Sequence, residues 1–262
     1  MRKVVNVVLV IAALLVASTM AMATEIDPFN SRPVTIGTPP GSEASLQSIL
    51  TDMLMGVNAD TDQQTAGMWS TAVLPPGVLP AMWVEYAGLN LVNTFGIWSG
   101  TTTENVVGYN IFLGPAVGGI GGTAAALTWL DATTLKVSAA GNGVCGVSVN
   151  CGNFAGIPYS SFGFYLSNPA NSYYQGYPGY TFYTVDQLNT DSQSAHALAY
   201  RKSGTDIWAL AFEDLPFPTD HDYNDMVVKI ESVTPVPEPG TLTLLGTGLI
   251  GLAGLVRRKL KK

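Results

Sequence analysis

Six carboxylates fall between Asp206 and Asp225 with no Lys or Arg among them: Asp206, Glu213, Asp214, Asp220, Asp222 and Asp225. Two like charges about 5 Å apart repel by roughly 3 kcal/mol at an effective dielectric of ~20, so a compact loop of this kind wants a cation or full solvation. Asp220, Asp222 and Asn224 place oxygen ligands at alternate positions with Asp225 adjacent, as a calcium loop does. Glu231 falls eleven residues after Asp220, where an EF-hand puts its bidentate glutamate. Two departures count against a true EF-hand: Asp225 replaces the required glycine, and Met226 to Ile230 reads as a strand. The expectation is therefore a Ca2+ site of β-domain type. It would use Asp220, Asp222, Asn224 and Asp225, with Glu213 or Asp214 donated from the preceding strand. A solvated turn, in which Asp and Asn side chains bond their own backbone, is the competing reading. A catalytic carboxylate pair is the third. Glu213 and Asp214 are neighbours, however, so on a strand they point to opposite faces and cannot flank one glycosidic bond together.

Other reactive residues are sparse. His196 sits in a candidate strand, where a structural role is expected. His221 lies between two aspartates that favour its charged form, which suits neither a general base nor a zinc ligand. Cys145 and Cys151, the two cysteines of the chain, lie in the glycine-rich stretch 141–152 and are expected to close a small disulfide in an oxidising compartment. Free thiols or half a metal site are the alternatives, and no histidine lies nearby. Gly119-Ile120-Gly121-Gly122-Thr123-Ala124 matches a loose dinucleotide pattern but follows Pro115 and glycine rather than a strand, so a loop is expected. Trp69, Trp83, Trp98, Trp129 and the tyrosine-rich 173–180 stretch are the residues that could stack on sugar faces. The tryptophans are expected mostly in the core. No Gly-x-Ser-x-Gly elbow occurs.

The segments that position these residues begin and end with apolar runs. Arg2 and Lys3 precede an uncharged stretch from Val4 to Met22, and Ala21-Met22-Ala23 offers small residues to signal peptidase. Residues 1–23 are thus expected to be a signal peptide cut after Ala23. At the other end, Pro235-Val236-Pro237-Glu238-Pro239 leads into sixteen uncharged residues, Thr241 to Val256, and then a basic end from Arg257 to Lys262. Sixteen helical residues cover about 24 Å against a hydrocarbon core of ~30 Å, a marginal transmembrane helix. The basic end should stay cytoplasmic, leaving residues 24 to 235 on the far side of the inner membrane. Between Thr24 and Val233 there are 18 acidic against five basic residues, a balance of −13. Such a body repels nucleic acid, which is excluded as a partner, and attracts cations.

The tail resembles the PEP-CTERM sorting signal of Gram-negative bacteria that make extracellular polysaccharide, with Val236, Pro237, Glu238 and Pro239 where that family carries its recognition motif. The resemblance implies exosortase as a partner, with delivery to the cell surface or extracellular matrix. The segment after residue 40 reads as all-β. Leu46, Ile49, Leu50, Met53 and Leu54 recur at helical spacing, with Ser42 or Ser45 to cap one short helix. Expected strands are Met82–Leu89, Thr94–Trp98, Val106–Leu113, Thr134–Ala139, Ser161–Leu166, Thr181–Val185, Ala195–Arg201, Ile207–Phe212 and Met226–Val233. Residues 114–122 and 168–179 are expected to be long surface loops. The domain plan is an extended leader at 24–40, an antiparallel β-sandwich at 41–234, jelly-roll-like, and the sorting tail at 235–262.

That middle region is also similar to a family filed as domain of unknown function 4114. The similarity rests on Ser45-Leu46-Gln47-Ser48-Ile49-Leu50, Asn93-Thr94-Phe95-Gly96-Ile97, Phe162-Gly163-Phe164-Tyr165-Leu166 and Leu210-Ala211-Phe212-Glu213-Asp214-Leu215, followed by Asp222-Tyr223-Asn224-Asp225. It implies a β-rich, surface-associated domain without an established activity. The expected function is a non-enzymatic, calcium-stabilised surface or matrix protein associated with exopolysaccharide and biofilm. A carbohydrate-binding module is the alternative, and an exopolysaccharide hydrolase stands third.

Overall fold

The computed structural model describes residues 32–71, 77–78, 81–85, 93–102, 104–114, 116, 118–119, 122–171, 177–191, 194–216 and 220–236. The expected signal peptide and transmembrane helix lie outside them. Among the described residues, no helix is long and apolar enough to cross a membrane.

The described residues are mostly antiparallel β-structure with one α-helix. Short strands β1 (Trp69–Ser70) and β2 (Gly77–Val78) come first. They are followed by β3 (Ala81–Glu85), β4 (Thr94–Ser99), β5 (Val107–Phe112), β6 (Thr123–Trp129), β7 (Thr134–Gly141) and β8 (Gly152–Ala155). The rest are β9 (Gly163–Asn171), β10 (Tyr177–Tyr183), β11 (Ala197–Arg201), β12 (Ile207–Phe212), β13 (Met226–Glu231) and β14 (Thr234–Pro235). One sheet runs β11-β12-β13-β3-β6-β7-β8, with β2 on β6; a second runs β10-β9-β4-β5; β1 and β14 form a small pair. Among the described residues, the strands do not close into a barrel.

Both large sheets feed one core. Phe95, Phe112, Phe164 and Phe182 of the smaller sheet meet Leu127, Trp129, Trp208, Leu210, Phe212 and Val228 of the larger. Phe95 stacks at 5.3 Å on Phe164 and meets Phe212 edge-on at 6.0 Å across the sheets, geometries that aromatic pairs prefer. Alternation accounts for the placement: in β12, Trp208, Leu210 and Phe212 join this core, whereas Ala209 and Ala211 face the other way.

That other face of β11–β13 is also covered. Helix α1 (Leu46–Asp52) lays Leu46, Ile49 and Leu50 against Leu198, Tyr200, Ala209, Ala211 and Val227. Ser45 caps the helix by accepting a bond from the Ser48 amide at 3.3 Å. Leu54, expected on the buried stripe, instead lies beyond the helix with φ +55 and is exposed. Val34 and Gln63 exchange two bonds of 2.8 Å, tying the segment before the helix to the turn after it. Residues 32–64 thus form an arm over the back of the larger sheet.

The expected loop at 168–179 is a correction. β9 runs on to Asn171 and β10 starts at Tyr177, with Pro169 opposite Gly179. Pro and Gly read as breakers in the sequence, but Gly179 lies on the edge strand β10, and Pro169 lies on β9 past Ser167, the last residue that pairs with β4, so its ring disturbs no ladder on that side. β6 and β8, together with the two-residue strands β1, β2 and β14, are absent from the expected strands. Tyr173 and Tyr174 fall outside the described residues, as do the side chains of Met82 to Glu85.

Candidate metal centre

Strand register assembles the acidic residues. β12 and β13 are antiparallel neighbours paired Phe212 to Met226, so the residues just beyond, Glu213 and Asp225, face each other where the hairpin opens. The Asp214 amide donates to Asp225 Oδ2 at 2.8 Å, prolonging the contact past the strands' ends. One ligand atom each from Glu213, Asp222 and Asp225 lies within 4.8 Å of the other two. Glu213 and Asp222 are buried, Asp225 partly so.

Asp214 turns the other way, as strand alternation requires. Its Oδ2 accepts from Asn93 Nδ2 at 2.9 Å, and its carbonyl accepts from Asn168 Nδ2. Asn93 precedes β4 and Asn168 lies on β9, so Asp214 ties the second sheet to the acidic loop. Asp220 is exposed at the rim. The structure therefore gathers Glu213, Asp222 and Asp225, sets Asp214 beside them, and leaves Asp220 outside the trio.

The loop carries backbone strain. His221 has φ +57 and Tyr223 φ +53, left-handed values that cost an L-residue about 1–2 kcal/mol each. Anchors on either side of Asp222 hold them. The Tyr223 hydroxyl donates to the Ala195 carbonyl at 2.8 Å and its amide to Glu213 Oε2 at 3.4 Å. From the arm, the Gly37 amide donates to the His221 carbonyl at 2.7 Å. A Cβ on Gly37 would sit 1.8 Å from the Asp220 carbonyl oxygen, so only glycine lets the arm approach this closely.

Electrostatics follow from burial. Desolvation, then the fields of Asp214 and Glu213, raise Asp225 well above the ordinary carboxylate range. Burial also pushes Asp222 up to about 6, and raises Asp214 with help from Asp220. Asn224 adds a further observation. It is fully buried, its Nδ2 is occupied by the Ala44 carbonyl at 3.1 Å, and its Oδ1 has no hydrogen-bond partner. Such an orphaned oxygen costs about 1–3 kcal/mol unless something outside the chain satisfies it.

These donors fit a hard cation. All are oxygens, and two oxygens on opposite sides of one calcium ion lie up to about 5 Å apart, wider than this trio. A single cation would also relieve repulsion of about 3 kcal/mol per close pair.

Elsewhere, His196 is buried with Nε2 at 2.7 Å from Asp191 and its ring stacked 3.8 Å from Phe182, a packed position just ahead of β11. Trp69, Trp98 and Trp129 are buried. The Trp98 and Trp129 indoles donate to the Phe164 and Ile157 carbonyls, so they offer no face to a sugar. Cys145 and Cys151 are joined in a disulfide with Cα atoms 5.2 Å apart. Thr123 and Ala124 of the glycine-rich motif begin β6 rather than a phosphate loop.

Two segments of the chain match models of protein families. Residues 158–233 match the model of a domain of unknown function (DUF4114), and residues 235–259 match the PEP-CTERM protein-sorting motif. The first match contains β9 to β13 and every residue of the expected metal set, from Glu213 to Asp225. The second includes Val236, Pro237, Glu238 and Pro239, and it implies processing by exosortase and export in a Gram-negative bacterium. Asn93, Gly37 and Ala44 precede both matches. No curated protein and no solved structure matches the chain. Asn93 was visible in the sequence only as the first residue of one family-like block; Gly37 and Ala44 act through backbone and carried no signal there.

Proposed function

We propose that this chain is an exported, non-enzymatic surface or matrix protein whose acidic pole holds Ca2+. Glu213, Asp222 and Asp225 would be its charged ligands and Asn224 Oδ1 a neutral one. The observation that carries the reading is the convergence of three carboxylates, with a buried amide oxygen that lacks a hydrogen-bond partner on Asn224, next in the chain to Asp225. The spacing suits one cation better than a glycosidic bond, which needs carboxylates ~5–9.5 Å apart. The body, two sheets around one aromatic core, is a sandwich of the jelly-roll kind. Signal peptidase would release the N-terminus, and exosortase would deliver the body to the cell surface or to a biofilm matrix alongside exopolysaccharide. Support for that destination comes from the sorting motif; support for the cation comes from the site.

Thermal melting of the purified body tests the cation. Calcium at a hundred times its Kd should raise stability by about 2.7 kcal/mol, several degrees in Tm. Equal melts in calcium and in chelator would leave a solvated turn.

A further inference from the structure

The sorting motif begins inside the folded body. β14 pairs antiparallel with β1, Pro235 opposite Trp69 and Thr234 opposite Ser70. The Val236 amide donates to the Met68 carbonyl at 2.9 Å. Pro235 and Val236 are therefore both the first residues of the matched motif and the last rung of this ladder. β1 is fixed on its other side, exchanging bonds of 2.7 and 2.9 Å with Phe162. Just upstream, Val233 is buried and its carbonyl accepts from the Trp208 indole at 3.3 Å. No linker separates body from signal. From Val236 to Thr241, where the apolar run starts, five residue steps reach at most about 18 Å.

We propose that the β1–β14 ladder is a latch on the sorting signal, and that exosortase must peel β14 from β1 to engage the motif. This rests on the exosortase reading of the tail. An exosortase approaching Pro237 to Pro239 meets a body whose ladder already holds Pro235 and Val236. Either the ladder opens or the body blocks the approach. Processing then reports on folding, because a closed ladder forms only when Trp69, Phe162 and Trp208 are packed.

The test uses the full chain expressed with an exosortase, read by mass spectrometry of the tail over time. One variant carries ten Gly and Ser residues after Val236, followed by a repeated Thr-Pro-Val, so the ladder stays closed while an intact motif hangs free. It should be processed about tenfold faster, the factor expected when the opening of roughly one net hydrogen bond is no longer required. A second variant, Ser70→Cys with Thr234→Cys, locks the ladder across the pair. Its processing should stop until reductant is added. Processing of the spacer variant at the unaltered rate, or processing of the locked chain, overturns the latch and leaves the sorting reading intact. If Lys262 is retained in the unaltered and spacer chains alike, the sorting reading fails and the latch with it.

Discussion

Three carboxylates that repel one another, two buried and one partly so, are a liability to an isolated fold, and single substitutions should expose it with opposite signs. Asp225→Asn keeps an oxygen for the Asp214 amide but removes a charge that burial disfavours. Calcium-free Asp225→Asn protein should therefore melt no lower than the unaltered protein, yet lose the calcium-induced rise; differential scanning calorimetry in both conditions reads this directly. The pH dependence has a fixed sign. A carboxyl with a raised folded pKa stabilises the fold below its unfolded value near 4, and that stability is lost as pH climbs through the folded value. For Asp222 that value is about 6. The gap in Tm between calcium-free unaltered protein and Asp222→Asn should shift against the unaltered chain between pH 4 and 7, while calcium affinity rises over the same window. A pH-independent gap would remove Asp222 from the account. The sequence revealed this site because acidic residues without cations stand out in composition. It did not show that Asp220 stays at the rim, because that depends on strand register rather than spacing.

At the scale of elements, the arm supports the acidic loop through Gly37 and Ala44, and the arm in turn depends on α1. Leu50 is fully buried in the second core. Leu50→Ala should cost about 2–5 kcal/mol, measured by urea unfolding, and weaken calcium binding as the arm loosens. Gly37→Ala should impair calcium binding with little loss from the core, since the clash falls on the Asp220–His221 backbone of the acidic loop. The helix was legible because its apolar spacing and Ser45 agree. β12 and β13 were legible because branched and aromatic residues fill them. β6 was not: Ala124, Ala126 and Thr128 alternate with Thr123, Ala125 and Leu127 at too little contrast for a period to show, although the burial alternates strictly. The extensions of β9 and β10 were hidden by Pro169, beyond the reach of β4, and Gly179, on the edge strand; only tertiary structure reveals either placement.

Across the whole molecule, β12 enters and β13 leaves the acidic pole, so the centre and the exit toward the tail lie at opposite ends of these strands. Six residues of strand separate them by about 20 Å. On the proposed function, a tail anchored in the membrane would leave the acidic pole at the end of the body away from it. Truncation after Val236 should leave the melt unchanged, whereas truncation after Ser232 removes Val233 and β14 and should lower it by several degrees. The Cys145–Cys151 loop spans seven residues, counting both cysteines. Its chain-entropy contribution is about 2.4 kcal/mol, so the double Ser variant should melt lower without losing calcium response. The most direct measurement is isothermal titration of the purified body, residues 24–236, with calcium near pH 7.5. The account predicts saturable binding that Asp222→Asn abolishes; a titration without heat, paired with an unchanged melt, would contradict it.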